Sequence, residues 1–221
     1  MKGPMRVSLA FIGFALLFAA VIGLFLFLFP SLGGFYDAVS DEIVPSKMRP
    51  NIILDAGHGG IDGGAVSGNG TPEKDLNLQI TLILADLLRE NGYTVLLTRT
   101  EDVMLTSDAG GSRKMQDLRG RLEIASSHPD ALFLSIHMNT YPSSSCTGLQ
   151  VYYTRNNSEA EAFAESVQST VKKMLQPDND RAIKPASSSI YLLDRNPSCA
   201  ILVECGFLSN STEAEALADP D

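Results

Sequence analysis

The chain reads Leu54-Asp55-Ala56-Gly57-His58-Gly59-Gly60-Ile61-Asp62-Gly63-Gly64-Ala65 where an apolar run, residues 51–54, gives way to glycine. The apolar run predicts a buried strand. Glycine suits backbone that turns tightly or comes close to another group. A strand that delivers the imidazole of His58 into such a turn is a candidate metal or catalytic site. The alternative is a glycine-rich loop with a solvated histidine, and partners elsewhere in the chain decide between the two.

Strands and helices alternate along the rest of the chain. Apolar periodicity predicts helices at 76–91, 117–127 and 158–175, and strands at 93–98, 131–136, 150–153 and 200–203. The polar segment 99–116 predicts a long loop, and residues 158–161 fit a capping box. This alternation is typical of an α/β fold, here a single three-layer domain with a mainly parallel central sheet flanked by helices.

The charge balance excludes one class of partner. The chain has 17 Lys and Arg against 26 Asp and Glu, a net charge of −9, whereas nucleic-acid binding requires a basic face. The three cysteines are an odd number without C-x-x-C spacing, so neither a fully paired disulfide framework nor a cysteine zinc site is predicted. Cys199 and Cys205 flank the last predicted strand and are expected to be buried as small apolar residues.

The N-terminal segment predicts a membrane anchor. Residues 7–29 carry no charge, and Lys2 and Arg6 precede them. About 20 apolar residues span a bilayer, and the basic flank places residues 1–6 in the cytoplasm and the rest of the chain outside. The alternative is a cleaved signal peptide, although its apolar region is normally about 7–15 residues long. Residues 30–50 then form a linker, and residues 51–221 form one domain outside the cytoplasmic membrane.

Three of the predicted strands are followed by polar side chains. The first leads to His58, the third ends at His137 and the last ends at Glu204. In open α/β sheets, ligands bind beyond the carboxyl ends of the strands. The remaining histidine, His128, precedes a proline in a loop and is expected to be solvated.

A zinc site needs a third protein ligand and an open position for water. Glu73 is the candidate, just ahead of the first predicted helix. Two alternatives remain open for this carboxylate. It could only compensate the helix dipole, or Asp75 could cap the helix while Glu73 is solvated.

Four segments of the chain form a recognisable set. They are residues 55–65, Glu73-Lys74-Asp75-Leu76-Asn77, Ser135-Ile136-His137-Met138-Asn139 and Val203-Glu204-Cys205-Gly206-Phe207-Leu208-Ser209-Asn210. In this order they resemble the zinc-dependent N-acetylmuramoyl-L-alanine amidases of the amidase-3 type, which are peptidoglycan hydrolases. The resemblance covers residues 51–221. The compact domain, the anchor and the lack of a wall-binding repeat are most similar to the germination-specific spore-cortex members.

The resemblance implies a role for each candidate residue. His58, Glu73 and His137 would bind one Zn²⁺ per domain, and Glu204 would be the catalytic acid and base. The substrate would be the amide bond between N-acetylmuramic acid and L-alanine, cut in the spore cortex on the way to muramic δ-lactam. The implied partners are peptidoglycan glycan strands with their stem peptides, the membrane through residues 7–29, and a lipoprotein. The domain would act in the cell wall or the forespore intermembrane space, or be secreted if the N-terminal segment is cleaved.

Two other functions compete with this one. A domain that keeps the fold without turnover would bind peptidoglycan or regulate another enzyme, but all four site residues are present. A zinc peptidase would instead cut within the stem peptide.

Three further residues have two interpretations each. Asp62 either orients the glycine-rich turn or merely starts it, and Asn139 either contacts substrate or caps the strand end. Arg121 matches the position of the family's helix arginine, or it belongs to a surface ion pair.

The chain departs from the family pattern in two places. Residues 211–217 predict only a helix start or short turn where the family continues into a C-terminal helix. Either the protein is truncated there, or one face of its sheet is expected to be uncovered. No inserted helix that could plug the site is predicted between residues 149 and 193, which favours an open groove.

Overall fold

The computed structural model describes residues 51–105 and 111–219. The predictions for residues 1–6, the anchor at 7–29 and the linker at 30–50 lie outside the described residues. In the part of the chain that is described, no helix combines the length and apolar character needed to cross a membrane.

Six strands and five helices form the described part of the chain. The strands are β1 (Ile52–Ala56), β2 (Val95–Leu97), β3 (Leu132–Asn139), β4 (Gln150–Tyr153), β5 (Lys184–Pro185) and β6 (Ala200–Phe207). The helices are α1 (Glu73–Glu90), α2 (Arg113–Ser126), α3 (Ala160–Met174), α4 (Tyr191–Arg195) and α5 (Ser211–Ala218). The sequence did not predict β5 and α4, because elements of two and five residues show no periodicity.

All six strands belong to one sheet, in the order β2-β1-β3-β6-β4-β5. β1 pairs in parallel with β2 and β3, and β3 pairs in parallel with β6. β4 pairs antiparallel with β6 and parallel with β5, so the sheet is mixed. The reversal follows from the segment 140–149, which connects β3 to β4 without a helix, whereas a parallel return needs a crossover of about a dozen residues or more.

Helices cover both faces of the sheet, which confirms the three-layer prediction. On one face, α1, α3 and α5 pack on alternate strand residues such as Leu54 and Leu134. On the other, α2 and α4 pack on the intervening residues, such as Ile53 and Phe133. This alternation is what a two-sided buried sheet requires.

The expectation of an uncovered face is wrong for the described part of the molecule. The side chain of Asn210 accepts a hydrogen bond from the Glu213 amide at 3.0 Å and caps α5. Ala214 of this helix is buried in the core.

Several elements are longer than predicted, and this changes where the site residues lie. α1 begins at Glu73, so Glu73 belongs to the first helical turn instead of preceding it. β3 and β6 continue past His137 and Glu204 to Asn139 and Phe207. All three candidate residues are therefore held by regular elements, which position side chains better than loops do.

The capping box predicted at 158–161 is wrong. α3 begins at Ala160, and the side chain of Glu159, at the N-cap position just before the helix, makes no capping hydrogen bond. The side chain of Asn157 instead accepts a hydrogen bond from the Glu159 amide at 2.9 Å. An Asx turn thus performs the role assigned to the box.

Candidate active site

The glycine-rich turn leaves the end of β1 in left-handed backbone. His58 has φ = 59°, the only positive value among the described non-glycine residues, and it is followed by Gly59 at 138° and Gly60 at 55°. A Cβ on Gly59 would lie 2.3 Å from the carbonyl oxygen of Val103. The glycines are required here because the turn lies against a neighbouring loop.

Three of the predicted site residues meet beyond this turn. Oε1 of Glu73 lies 3.2 Å from Nε2 of His58 and 2.9 Å from Nδ1 of His137. The ligand atoms of the three side chains all lie within 4.8 Å of one another. One helix and two strand ends, separated in sequence, thus place two imidazoles and a carboxylate at one point.

Glu73 is held in place on both of its oxygens. The Met138 amide donates to Oε1 at 3.1 Å, the Ala65 amide donates to Oε2 at 2.9 Å, and Asn77 Nδ2 lies 3.3 Å from Oε1. Burial raises the pKa of this carboxyl, but hydrogen bonds and charges from the two histidines lower it well below its usual range. The interpretation of Glu73 as a solvated residue is wrong, since it is only 4% exposed.

Asp62 orients the imidazole of His58. Its Oδ2 lies 3.1 Å from Nδ1 of His58, and its Oδ1 accepts a hydrogen bond from the Gly64 amide at 3.3 Å. Burial lowers the pKa of His58, but the carboxylates of Glu73 and Asp62 outweigh burial and raise it above the ordinary value. Because Nδ1 is engaged by Asp62, Nε2 is the nitrogen that faces Glu73.

A buried arginine supports the turn from beneath. Arg121 of α2 is 1% exposed, so the surface ion-pair interpretation is wrong. Its Nη1 donates to Asp55 Oδ1 at 2.6 Å and its Nε donates to Asp117 Oδ2 at 2.8 Å. Its Nη2 donates to the carbonyl oxygen of His58 at 2.6 Å. The arginine therefore ties α2 and β1 to the backbone of a candidate ligand.

Arg99 is a further supporting residue that the sequence pattern missed. Its Nε donates to the Ala56 carbonyl at 2.8 Å, and its Nη2 donates to the Gly57 and Lys74 carbonyls, both at 2.9 Å. The sequence pattern places Arg99 only in a polar loop. The rule that selected residues at carboxyl ends of strands would have found it, because Arg99 follows β2.

Glu204 lies on the strand beside His137. The two residues are paired in the register of β3 and β6. Glu204 Oε2 is shielded from solvent and has no hydrogen-bond partner among the described residues. Burial raises the pKa of this carboxyl. A carboxyl group with a raised pKa and a free oxygen beside a ligand cluster is suited to accept and return a proton.

A groove contains these residues. It is lined by His58, His137 and Glu204, by Lys114 of α2 and by Tyr191 of α4. The short helix α4 begins within the region that was expected to lack an inserted helix. Its Leu192 and Leu193 are buried in the core, so the helix is packed against the sheet beside the groove.

The remaining sequence predictions have mixed outcomes. Asn139 caps the strand end, because its Oδ1 accepts a hydrogen bond from the Thr140 amide at 2.8 Å. His128 is half-buried instead of solvated, with Nδ1 3.0 Å from the Ile124 carbonyl oxygen. Cys199 is buried as expected, and burial raises the pKa of its thiol to about 12.

The donor set fits a metal ion. Two imidazoles and one carboxylate are typical ligands of Zn²⁺ in catalytic sites. The carboxylate is kept ionised, and one imidazole already has a carboxylate on its other nitrogen, which is the usual outer support of a metal-binding histidine.

Fold and site together define a three-layer α/β domain with a candidate metal centre at the carboxyl ends of its parallel strands. The Amidase_3 family, described as N-acetylmuramoyl-L-alanine amidase, matches residues 52–221. The chain belongs to this family, and it is a peptidoglycan amidase.

Individual relatives agree with the family assignment. The germination-specific N-acetylmuramoyl-L-alanine amidase of Bacillus subtilis (strain 168) is 36% identical over 172 residues, which cover 76% of this chain and 71% of that protein. The CwlD amidase of Clostridioides difficile, solved in complex with the GerS lipoprotein, is 38% identical with a TM-score of 0.71, covering 76% of this chain and 88% of that one. The catalytic domain of CwlV from Bacillus (Paenibacillus) polymyxa is 32% identical with a TM-score of 0.62, covering 76% and 86%.

Proposed function

We propose that the protein is a zinc-dependent amidase of the spore cortex, in which His58, Glu73 and His137 hold the metal and Glu204 transfers the proton. The observation that carries this proposal is the convergence of the three ligand atoms within 4.8 Å of one another, beside a carboxyl with an unpaired oxygen.

The chain's own residues supply the positioning and the proton transfer. Zn²⁺, when bound, supplies a Lewis acid for the scissile carbonyl and lowers the pKa of water. Glu204 accepts a proton from the water that attacks the lactyl carbonyl carbon. It then donates this proton to the L-alanine nitrogen as the C–N bond breaks, because an amide nitrogen leaves poorly unless it is protonated. Asp62 and Arg121 keep His58 in place throughout.

Digestion of purified peptidoglycan tests the reaction. We expect new N-terminal L-alanine, detected by labelling of free amines and muropeptide analysis. New termini only at meso-diaminopimelate or D-alanine would support the zinc peptidase instead. An absence of new termini with retained binding to peptidoglycan would support the non-catalytic domain.

Removal of the metal tests the cofactor. We expect the protein to contain one Zn²⁺ and to lose activity on treatment with a chelator, with recovery when zinc is added back. The three side chains that would bind zinc come together only in the folded chain. Zinc at 100 times its dissociation constant should therefore stabilise the fold by about 2.7 kcal/mol. Thermal unfolding with and without zinc measures this. Full activity of metal-free protein would contradict the proposal.

Gly57→Ala is expected to disrupt the metal site without removing a ligand. An added Cβ would lie 2.2 Å from Nε2 of His137, so the imidazole would have to move. We expect zinc affinity to fall by at least about tenfold, measured by competition with a chromophoric chelator. Gly68→Ala is the matched control, because nothing lies within 4 Å of its added Cβ. Equal affinity in both variants would show that the turn does not restrain His137.

The physiological role is proposed from the germination-specific relative. Muropeptide analysis of cortex from spores with and without the protein tests it. We expect muramic δ-lactam to be lost in its absence, since stem peptides must leave before the lactam closes. Unchanged lactam content would contradict the cortex role and leave the amidase activity standing.

Location and partner are proposed on separate grounds. The uncharged segment 7–29 supports an anchor that holds the domain outside the cytoplasmic membrane. The complex of the CwlD amidase with a lipoprotein supports a lipoprotein partner for this chain. Fractionation of cells that express the full chain, followed by cross-linked co-purification, tests both. Recovery of the protein in the cytoplasmic fraction would contradict the membrane anchor. Purification of the cross-linked protein without a lipoprotein would contradict the proposed partner.

A further inference from the structure

We propose that Lys114 is a specificity-determining residue that binds a carboxylate of the stem peptide beside the scissile amide. This inference rests on the proposed function, and it names the feature of the substrate that the groove recognises.

Lys114 is connected to the candidate metal ligand His58 through one residue, Asp62. It belongs to the first turn of α2 and lines the groove that contains His137 and Glu204. Its Nζ lies 3.3 Å from Oδ2 of Asp62, and the same oxygen lies 3.1 Å from Nδ1 of His58. A single carboxylate therefore separates the ammonium group from the imidazole.

The charge of Lys114 is accessible to a ligand. Its side chain is 62% exposed, and an ammonium group carries three donors, so the contact with Asp62 leaves others available. The arginine of the groove, Arg121, is buried and already bound to Asp55 and Asp117. Among the groove residues that the structure describes, Lys114 is thus the one Lys or Arg with an exposed charge.

The first turn of α2, which contains Lys114, favours an anion. It contains no acidic residue, so the positive end of the helix dipole is not compensated there. Four carboxyl groups also line the groove, those of Asp55, Asp62, Asp117 and Glu204. An anionic substrate is repelled by these carboxylates unless a local cation offsets the repulsion. The helix end only strengthens this effect, and the ammonium group supplies the contact.

The substrate carries a carboxylate close to the scissile amide. In the stem peptide, D-glutamate follows L-alanine and is linked through its γ-carboxyl, which leaves its α-carboxylate free. In amidated peptidoglycan this group is a neutral amide. An extended chain advances about 3.3–3.6 Å per residue, so the carboxylate lies within a few such steps of the scissile bond. Lys114 lines the same groove as His137 and Glu204, where the proposed function places that bond.

Two substrates and one substitution test the inference on the full chain. The substrates are muropeptides that differ only in D-glutamate or D-isoglutamine at the second position. Lys114→Met is expected to raise KM about five- to tenfold for the D-glutamate substrate and to leave the KM for the amidated substrate unchanged. Any change in kcat that arises through the contact with Asp62 should be the same for both substrates. Lys114→Arg should restore the wild-type KM, and added salt should weaken the wild-type preference.

Lys173→Met is the matched control, because Lys173 is an exposed lysine on α3, on the other face of the sheet. An equal rise in KM for both substrates, or no rise for either, would overturn the inference while the amidase activity stands. If the wild-type protein released N-terminal L-alanine from neither substrate, the proposed function would fall, and the inference with it.

Discussion

Glu204→Gln is expected to lower the amidase turnover number by about 10²–10⁴-fold while zinc remains bound. The amide keeps the shape of the side chain but cannot accept a proton from water. The free oxygen of Glu204 and its raised pKa are the structural basis for this expectation. Release of N-terminal L-alanine measures turnover, and metal analysis of the purified variant measures zinc.

Glu165→Gln provides the control for loss of a glutamate, because Glu165 is exposed on α3. It should match the wild type in both measurements. Wild-type turnover in Glu204→Gln would refute the assigned role. Loss of zinc from that variant would instead show that Glu204 supports the metal site, a role that the geometry does not suggest.

Asp55→Asn is expected to destabilise the fold by about 3 kcal/mol, near the lower end of the range for a broken buried ion pair, because Asp117 still contacts Arg121. Asp55 is fully buried and pairs with Arg121 at 2.6 Å. At about 2–4 °C per kcal/mol, the midpoint of thermal unfolding should fall by roughly 6–12 °C. Asp194→Asn, in an exposed pair with Arg195 at 3.2 Å, should change stability by less than about 0.5 kcal/mol.

The difference between wild type and Asp55→Asn should depend on pH. Burial raises the pKa of Asp55, but the Arg121 guanidinium, hydrogen bonds from Ser135 and Thr98 and the charge of His137 together outweigh burial and lower it below the ordinary value of 3.8. A carboxyl with a lowered pKa stabilises the fold fully above its unfolded pKa and loses this contribution as the pH falls through its folded pKa. Denaturant unfolding should therefore show the full difference at pH 7 and a shrinking one below about pH 3.8. A constant difference would contradict the role of the charge.

The core of the site could be predicted from local pattern. His58, His137 and Glu204 each follow or end a recognisable apolar run, and parallel strands bring their carboxyl ends to one edge. Glu73 required the family resemblance, because its position at the start of a helix has two ordinary structural explanations. In the structure the first turn of α1 and the Asn77 side chain aim it at the histidines.

The supporting hydrogen bonds could not be predicted. Arg121 and Asp55 are separated by 66 positions in the sequence, and no periodicity reports which buried arginine meets which carboxylate. Asp62 has two interpretations at the level of the sequence, because the orientation of an imidazole depends on the path of a turn. That path is set by positive φ at His58 and the following glycines, which a single sequence does not specify.

The direction of β4 was missed for a related reason. The strand itself was predicted with its observed bounds, but its orientation depends on what precedes it. The segment 140–149 forms no helix, and its direct connection places β4 antiparallel to β6. Alternation of elements alone favours parallel pairing and does not detect such a link.

The strand that completes the sheet is the last one in the chain order. β6 inserts between β3 and β4, and it carries Glu204. Until residues 200–207 have emerged, β3 and β4 each lack a neighbour, and partial chains expose unpaired edges that favour aggregation. Pairing across such sequence distances also makes folding slow. If Glu204 transfers the proton as proposed, a nascent chain that lacks β6 also lacks the group for catalysis, so the sheet and the activity would be completed by the same strand.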